Sequence, residues 1–300
     1  MNTPRIGFVG IGNMGWPMAA SLIRAGHDIQ VFDINRTQAD NFVQQIGGFA
    51  PDNLPALAAA CDTVITILPT SDHVATALAD DTLAALRPGS LVIDMTSGQP
   101  LATQALARRV AAAGSVLIDA PVSGGVARAR TGELAIMVGG EAAAIERARP
   151  VLAAMGTTIT VCGDVGAGQA MKALNNLVSA GGFLIGIEAL LIGQKFGLDP
   201  GLMVDVLNAS TGMNNSTQKK FRQFVLSRSF NSGFSLDLMV KDLTIATSIG
   251  KDTATPAPFA ALCRELWAAA ATMLGPGQDH TALAQLPERL AGVSLHDAPK

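Results

Sequence analysis

Through the first half of the chain, short unbroken apolar runs alternate with stretches of helical periodicity. The runs are Ile6–Val9, Ile29–Phe32, Thr63–Leu68, Leu91–Asp94 and Val116–Asp119, and between them lie helix-like Asn13–Ala25, Thr37–Ile46, Ser71–Ala79 and Pro100–Ala113. Strands apolar on both faces, spaced by helices, predict a parallel sheet covered on both sides. Leu134–Val138 and Thr158–Val161, separated by helical Glu141–Met155, are expected to extend it. After Gly163-Asp164-Val165-Gly166-Ala167-Gly168 the strand signals stop. A helix predicted from Gly168 to Phe196 would run on the order of 45 Å at ~1.5 Å per residue. Shorter helices follow over Pro200–Asn208, Ser216–Leu226, Leu236–Gly250, Pro256–Leu274 and His280–Leu290, and the tail Leu295–Lys300 is expected to fray. The pattern predicts an α/β chain: a doubly wound sheet over residues 1–164 and an all-α domain over 165–300, joined by the long helix. Because the joint is a helix, the two domains are expected to form one cleft.

The first strand ends in Gly10-Ile-Gly12-Asn13-Met14-Gly15 and leads into a helix. This G-x-G-x-x-G spacing turns sharply at Gly10, lets backbone approach a pyrophosphate at Gly12, and packs helix on strand at Gly15. The helix start then presents N–H groups and a positive dipole end to the anion. The spacing predicts a Rossmann-like dinucleotide site built on Gly10, Gly12, Asn13, Met14 and Gly15. Asp33 closes the second strand, where a carboxylate accepts ribose hydroxyls and repels a 2′-phosphate. Arg36 pulls the other way, since a guanidinium can pair such a phosphate. The balance favours NAD over NADP, and the bland reading of Asp33 is a helix cap.

Ligands of open α/β sheets bind beyond the carboxyl ends of the strands. Leu68-Pro69-Thr70 and Asp94-Met95-Thr96-Ser97 occupy such ends and are expected along the cofactor path, although each also suits an ordinary N-cap. Ser123-Gly124-Gly125 offers a hydroxyl and successive backbone N–H groups suited to a carboxylate, or simply a tight turn. On the long helix, Lys172, Asn175, Asn176 and Ser179 fall at i, i+3, i+4 and i+7 and share one face. The alternative for Lys172 is a solvated surface charge.

Composition narrows the chemistry. The chain has 300 residues, 49% hydrophobic and 15% charged, with net charge −3 and no basic block, so nucleic acid and acidic membranes have no electrostatic support. Cys61, Cys162 and Cys263 fit neither a disulfide framework nor a metal site and suit a reducing cytoplasm; no metal is expected. The N-terminus runs into the first strand without a secretory pattern. Ala173–Gly193 is apolar but interrupted by Asn175, Asn176, Ser179 and Glu188, so it reads as a buried soluble helix and not a membrane span. Hydride transfer needs a partner for the substrate proton. The chain has no tyrosine, His27, His280 and His296 are expected away from the ligand, and His73 has no evident orienting acid. Lys172 remains as general acid or base, with Lys241 either a second cation that lowers its pKa or a contact at the nicotinamide end.

Together these motifs resemble the β-hydroxyacid dehydrogenase family, which includes 3-hydroxyisobutyrate dehydrogenases and tartronate semialdehyde reductases. The resemblance rests on Gly7-Phe-Val-Gly10-Ile-Gly12-Asn13-Met14-Gly15, Asp119-Ala-Pro-Val-Ser123-Gly124-Gly125, Gly166-Ala-Gly168 followed by Lys172 and Asn175-Asn176, and Lys241-Asp242-Leu243. It implies Lys172 as catalytic residue, and Ser123, Gly124, Gly125 and Asn176 at the substrate. It also implies Leu68, Pro69, Ser97 and Lys241 at the cofactor, and a homodimer or homotetramer. The expected reaction is NAD(P)-dependent oxidation of the β-hydroxyl of a small 3-hydroxy acid, or reduction of the matching semialdehyde. The segment Ser210–Ser216, with Asn214 and Asn215, is expected to choose the substrate and to favour a hydroxylated acid such as glycerate or threonate. The alternatives are an NADPH-dependent reductase of small aldehydes or imines, and a non-catalytic dinucleotide-binding regulator.

Overall fold

The computed structural model describes residues 5–296. Contacts divide the chain into two compact units at Lys172/Ala173. The first unit holds the strands β1 (Ile6–Val9), β2 (Ile29–Phe32), β3 (Thr63–Thr66), β4 (Leu91–Asp94), β5 (Val116–Asp119), β6 (Val122–Ser123), β7 (Leu134–Gly139) and β8 (Gly156–Gly163). Its helices are α1 (Gly15–Arg24), α2 (Arg36–Gln45), α3 (Leu54–Ala60), α4 (Ser71–Ala77), α5 (Asp80–Ala85), α6 (Pro100–Ala112), α7 (Gly125–Thr131) and α8 (Ala142–Ala153).

The sheet order is β2-β1-β3-β4-β5-β7-β6, with β8 paired to β7. The first five strands are parallel and nearly wholly buried, as their unbroken apolar character requires. The extension departs from that pattern: β7 runs antiparallel to β5 and β6, and parallel to β8. β2 and β3 lie on opposite sides of β1, so the strand order reverses there. In open sheets that reversal leaves a crevice at the carboxyl ends, and the glycine loop follows directly from it. One core, including Phe8, Ile65, Ile93 and Leu152, lies on one face; another, including Val64, Val92, Leu106 and Leu117, lies on the other.

Helix α9 (Ala167–Phe196) starts in the first unit and continues into the second. The second unit adds α10 (Pro200–Asn208), α11 (Asn215–Lys219), α12 (Leu236–Asp252), α13 (Pro258–Leu274) and α14 (Gln285–Ala291). By length and composition α9 could cross a membrane. Instead its Ala180, Phe183, Ile187 and Leu190 are fully buried and pack with Phe221, Leu243 and Trp267, so α9 is the core helix of this unit.

Two expected helices are each broken. Ser216–Leu226 divides at Lys220 (φ −131°, ψ −45°) into α11 and the π-helical turn Phe221–Leu226. His280–Leu290 becomes a 3-10 turn, His280–Ala284, followed by α14. His280 is buried, not at the surface, stacked on Trp267 at an interplanar angle of 13°. Leu295 does not fray: it is buried, and its N–H donates to Glu288, whose carboxylate also takes the Arg228 guanidinium. Residues 297–300 of the expected tail lie outside the described residues.

Candidate active site

The glycine loop follows β1 because nothing larger fits two of its positions. Gly10 has φ +100°, and a Cβ there would sit 2.4 Å from the Ile67 carbonyl oxygen. A Cβ on Gly15 would fall 1.8 Å from the Gly10 carbonyl oxygen. Gly12 differs, since a Cβ there would meet no atom within 4 Å. Protein packing therefore explains Gly10 and Gly15 but not Gly12, which opens space for a ligand to approach the backbone. Met14, at the start of α1, makes no side-chain cap, and Gly12 and Asn13 are exposed. The loop thus fits a pyrophosphate: room at Gly12 and an uncapped helix start behind it.

Asp33, the residue just past β2, shapes this loop. Its Oδ2 accepts the Ile11 N–H at 2.8 Å and its Oδ1 accepts the Asn35 N–H at 2.9 Å. It is not the cap of α2, whose N-cap residue is Asn35. A carboxylate has about four acceptor sites, so ribose hydroxyls can still be received. Gln38, which the sequence did not single out, donates to the Ile11 carbonyl at 2.9 Å and holds the loop's other side. Arg36 turns to Asp40 at 2.9 Å and to the carbonyls of Pro51 and Ala50, at 2.9 and 3.2 Å.

At the end of β3, Leu68 is half-buried and Pro69 exposed. Thr96 is fully buried, and its hydroxyl accepts the Leu68 N–H at 3.0 Å, so it fixes that loop from beneath; Ser97 is half-buried. Ser123 ends β6, and Gly124 (φ +135°) and Gly125 (φ +68°) turn the exposed chain into α7. The Arg128 side chain folds over Gly124, where a Cβ would meet it at 2.8 Å.

A buried carboxylate pair anchors the start of α9. Asp119 ends β5; its Oδ1 accepts Gly166 N–H at 2.6 Å and its Oδ2 accepts Gln169 N–H at 2.8 Å. Asp94 ends β4 and accepts from Thr66, Thr96 N–H and the Gln169 amide, at 2.9, 3.0 and 3.0 Å. Burial pushes the Asp119 carboxyl up to about 6, against the two N–H groups that favour its charge, and burial raises Asp94 as well. The sequence places Asp94 in a stretch expected along the cofactor path and Asp119 at the head of the Ser123–Gly125 motif, but singles out neither as an anchor of the long helix. The available signal was a lone acid ending each apolar strand, Val92-Ile-Asp94 and Leu117-Ile-Asp119.

One turn beyond that anchor stands Lys172, 8% exposed, which removes the reading of a solvated surface charge. Asn176, one turn further, is also buried; its Nδ2 donates to Asp242 Oδ2 at 2.6 Å, and Asn175 Nδ2 donates to Asn176 Oδ1 at 3.2 Å. Asp242 is 1% exposed, and Lys241 Nζ lies 3.4 Å from its Oδ1, an ion pair longer than a hydrogen bond. Asp242 therefore orients Asn176 while sitting beside the Lys241 charge.

The Ser210–Ser216 segment is differently employed than its composition suggested. Asn214 caps α11, accepting Ser216 and Thr217 N–H groups at 2.7 and 3.2 Å and donating to the Gly182 carbonyl at 3.4 Å. Asn215 is exposed. Among the described residues no cluster of His, Cys, Asp or Glu could hold a metal ion, and the three cysteines are free thiols.

Comparison with known proteins agrees with this geometry. Residues 5–163 match the family described as the NAD binding domain of 6-phosphogluconate dehydrogenase. Residues 166–287 match that described as NAD-binding of NADP-dependent 3-hydroxyisobutyrate dehydrogenase. A 3-hydroxyisobutyrate dehydrogenase of Pseudomonas aeruginosa is 40% identical, covering 87% of this chain and 90% of its own. A 2-(hydroxymethyl)glutarate dehydrogenase of Eubacterium barkeri is 36% identical, covering 97% of both chains. The solved 3-hydroxyisobutyrate dehydrogenase of Mycobacterium tuberculosis with L-serine superposes with a TM-score of 0.88 at 35% identity, covering 95% of this chain and 99% of its own. With the glycine loop, the Ser123–Gly125 turn, the Lys172 helix and Lys241-Asp242 all present, the chain belongs to the β-hydroxyacid dehydrogenase family of NAD(P)-dependent oxidoreductases acting on CH–OH groups.

Proposed function

We propose that Lys172 is the general acid/base of an NAD-linked oxidation at the β-hydroxyl of a small 3-hydroxy acid, or of the reverse reduction. The observation that carries this reading is a buried amine on α9, one turn beyond a helix start pinned by Asp94 and Asp119 and one turn before the buried Asn176. The dinucleotide, when bound, supplies the hydride acceptor. Gly10, Gly12, Asn13, Met14 and Gly15 hold its pyrophosphate through backbone N–H groups, with Leu68, Pro69 and Ser97 along its path. Ser123, Gly124 and Gly125 take the substrate carboxylate through the Ser123 hydroxyl and neighbouring N–H groups. Lys172 Nζ accepts the hydroxyl proton during oxidation and returns it during reduction. Asn176, oriented by Asp242, keeps the substrate oxygen in register, with Asn175 hydrogen-bonded behind it. Lys241 closes the cofactor end or adds positive charge near Lys172.

NAD is favoured over NADP because Asp33 is charged and central to the loop, whereas the Arg36 guanidinium is already held by Asp40 and two carbonyls. We also propose a homodimer or homotetramer in a reducing cytoplasm. Supporting the former, α9 exposes Met171, Leu174, Val178, Ile185 and Ile192 at heptad-like spacing, a stripe suited to a second copy.

The decisive experiment offers small 3-hydroxy acids with NAD and with NADP and follows reduced-cofactor absorbance. Turnover of at least one acid, faster with NAD, is expected. A chain that reduces imines or aldehydes lacking a carboxylate while ignoring every 3-hydroxy acid would overturn the reading, as would one that binds NAD and turns nothing over.

A further inference from the structure

The helix face bearing Lys172 and Asn176 continues to Ser179, seven and three residues further along. There the Lys220 ammonium donates to Ser179 Oγ at 3.2 Å, with its Nζ 6.0 Å from the centre of the Phe183 ring. Among the described residues that hydroxyl is the one polar group within hydrogen-bond reach of the amine. Asp279, whose charge favours the Lys220 ammonium, is engaged elsewhere: it accepts from Ser232 Oγ, Gly233 N–H and Thr281 N–H at 2.8–2.9 Å. His280 faces the same region, and burial holds its imidazole down to about 4, so it brings no charge at neutral pH. Burial likewise lowers Lys220 to about 8, a partly desolvated cation with no bonded counter-ion. The backbone breaks at Lys220 to put it there, and the π-helical turn Phe221–Leu226 that follows is a form enriched at functional sites.

We propose that Lys220 and Ser179 form a subsite for a second carboxylate on the substrate, remote from the reacting hydroxyl, so that the chain prefers 3-hydroxy acids carrying a distal carboxylate. The proposal rests on the reading of Lys172 and Asn176 as the reaction centre. One amine and one hydroxyl match the two oxygens of a carboxylate. Ser179 lies three residues, ~4.5 Å of helix rise, beyond Asn176, which suits a short acyl chain. The Asn214 side chain, spent on capping, leaves Lys220 as the group that would choose the substrate.

Two probes sharing one core test it: 3-hydroxyisobutyrate, and 2-(hydroxymethyl)glutarate with its added distal carboxylate. Wild type should prefer the dicarboxylate in kcat/KM. In Lys220→Met the ratio of the two kcat/KM values should fall by about 10- to 100-fold, the worth of a hydrogen bond to a charged group, and Lys220→Arg should recover much of it. An unchanged ratio overturns the subsite, since general damage to the fold lowers both values together. Calorimetry with glutarate and butyrate on the NADH-loaded proteins separates the two readings. Glutarate bound more tightly than butyrate by wild type but not by Lys220→Met, with neither hydroxy acid turned over, would keep the subsite and remove the proposed reaction. Turnover of 3-hydroxyisobutyrate with glutarate and butyrate bound alike by both proteins would do the opposite.

Discussion

The two units use their polar groups differently. In the sheet unit, the acids at the strand ends bond mainly to backbone: Asp33 to Ile11 and Asn35, Asp119 to Gly166 and Gln169, and Asp94 in part to Thr96. They shape loops, and the loops present N–H groups. In the helical unit, alongside caps to backbone, a set of bonds joins side chains of elements distant in sequence: Asn176 to Asp242, Lys220 to Ser179, Ser232 to Asp279. Backbone N–H groups are the same at every residue, so a site made from them can serve a dinucleotide whatever substrate is used. Side-chain pairs can be exchanged one at a time, so a site made from them can change its substrate while the fold persists.

The sharpest break in that comparison is Lys172→Ala. It should lower kcat by about 10²–10⁴-fold, the usual worth of a positioned general base, with NADH affinity by fluorescence titration nearly unaltered; near-normal turnover would remove Lys172 from the mechanism. Within the sheet unit, Gly12→Ala and Gly15→Ala should separate binding from folding. Gly12→Ala projects into open space, so its melting temperature should hold while NADH affinity drops at least about tenfold through lost backbone approach. Gly15→Ala collides with the Gly10 carbonyl and should be destabilised by about 1–3 kcal/mol, as overpacking usually costs, visible as an earlier urea midpoint.

Within the helical unit, Asp242→Asn keeps the shape but removes the charge that accepts from Asn176. A loss of about tenfold in kcat/KM is expected, the lower range for a hydrogen bond to a charged group, with no change in NADH affinity; a parallel loss of cofactor would point instead to Lys241. The smallest effect concerns pH. Burial raises Asp119 to about 6, so the folded protein holds that proton more tightly than the unfolded chain. Its contribution to stability is therefore fully present below about pH 4, the ordinary aspartate range, and lost as pH rises through about 6. Melting curves of Asp119→Asn should show a flatter pH dependence across that window than wild type, and lower stability near pH 7, where an amide can accept only part of what the carboxylate does.

Most of the sheet unit was legible because its information is local. A strand buried on both faces reads as a continuous apolar run, and a turn that must cradle phosphate needs glycines at set intervals, so β1–β5 and Gly10–Gly15 stand out in the linear chain. Lys172 and Asn176 were legible for the same reason, since one helix places them on one face through spacing alone. The sequence by itself determined these elements, the helical second half and the family. Tertiary structure decided the rest: that Thr96 faces inward, that Arg36 is occupied, that His280 is buried, and that a break at Lys220 brings its amine to Ser179. Those outcomes depend on which residues, 28 to 75 or more apart in several cases, meet after folding. Periodicity reports which face of an element is buried, but carries nothing about what waits on the other side.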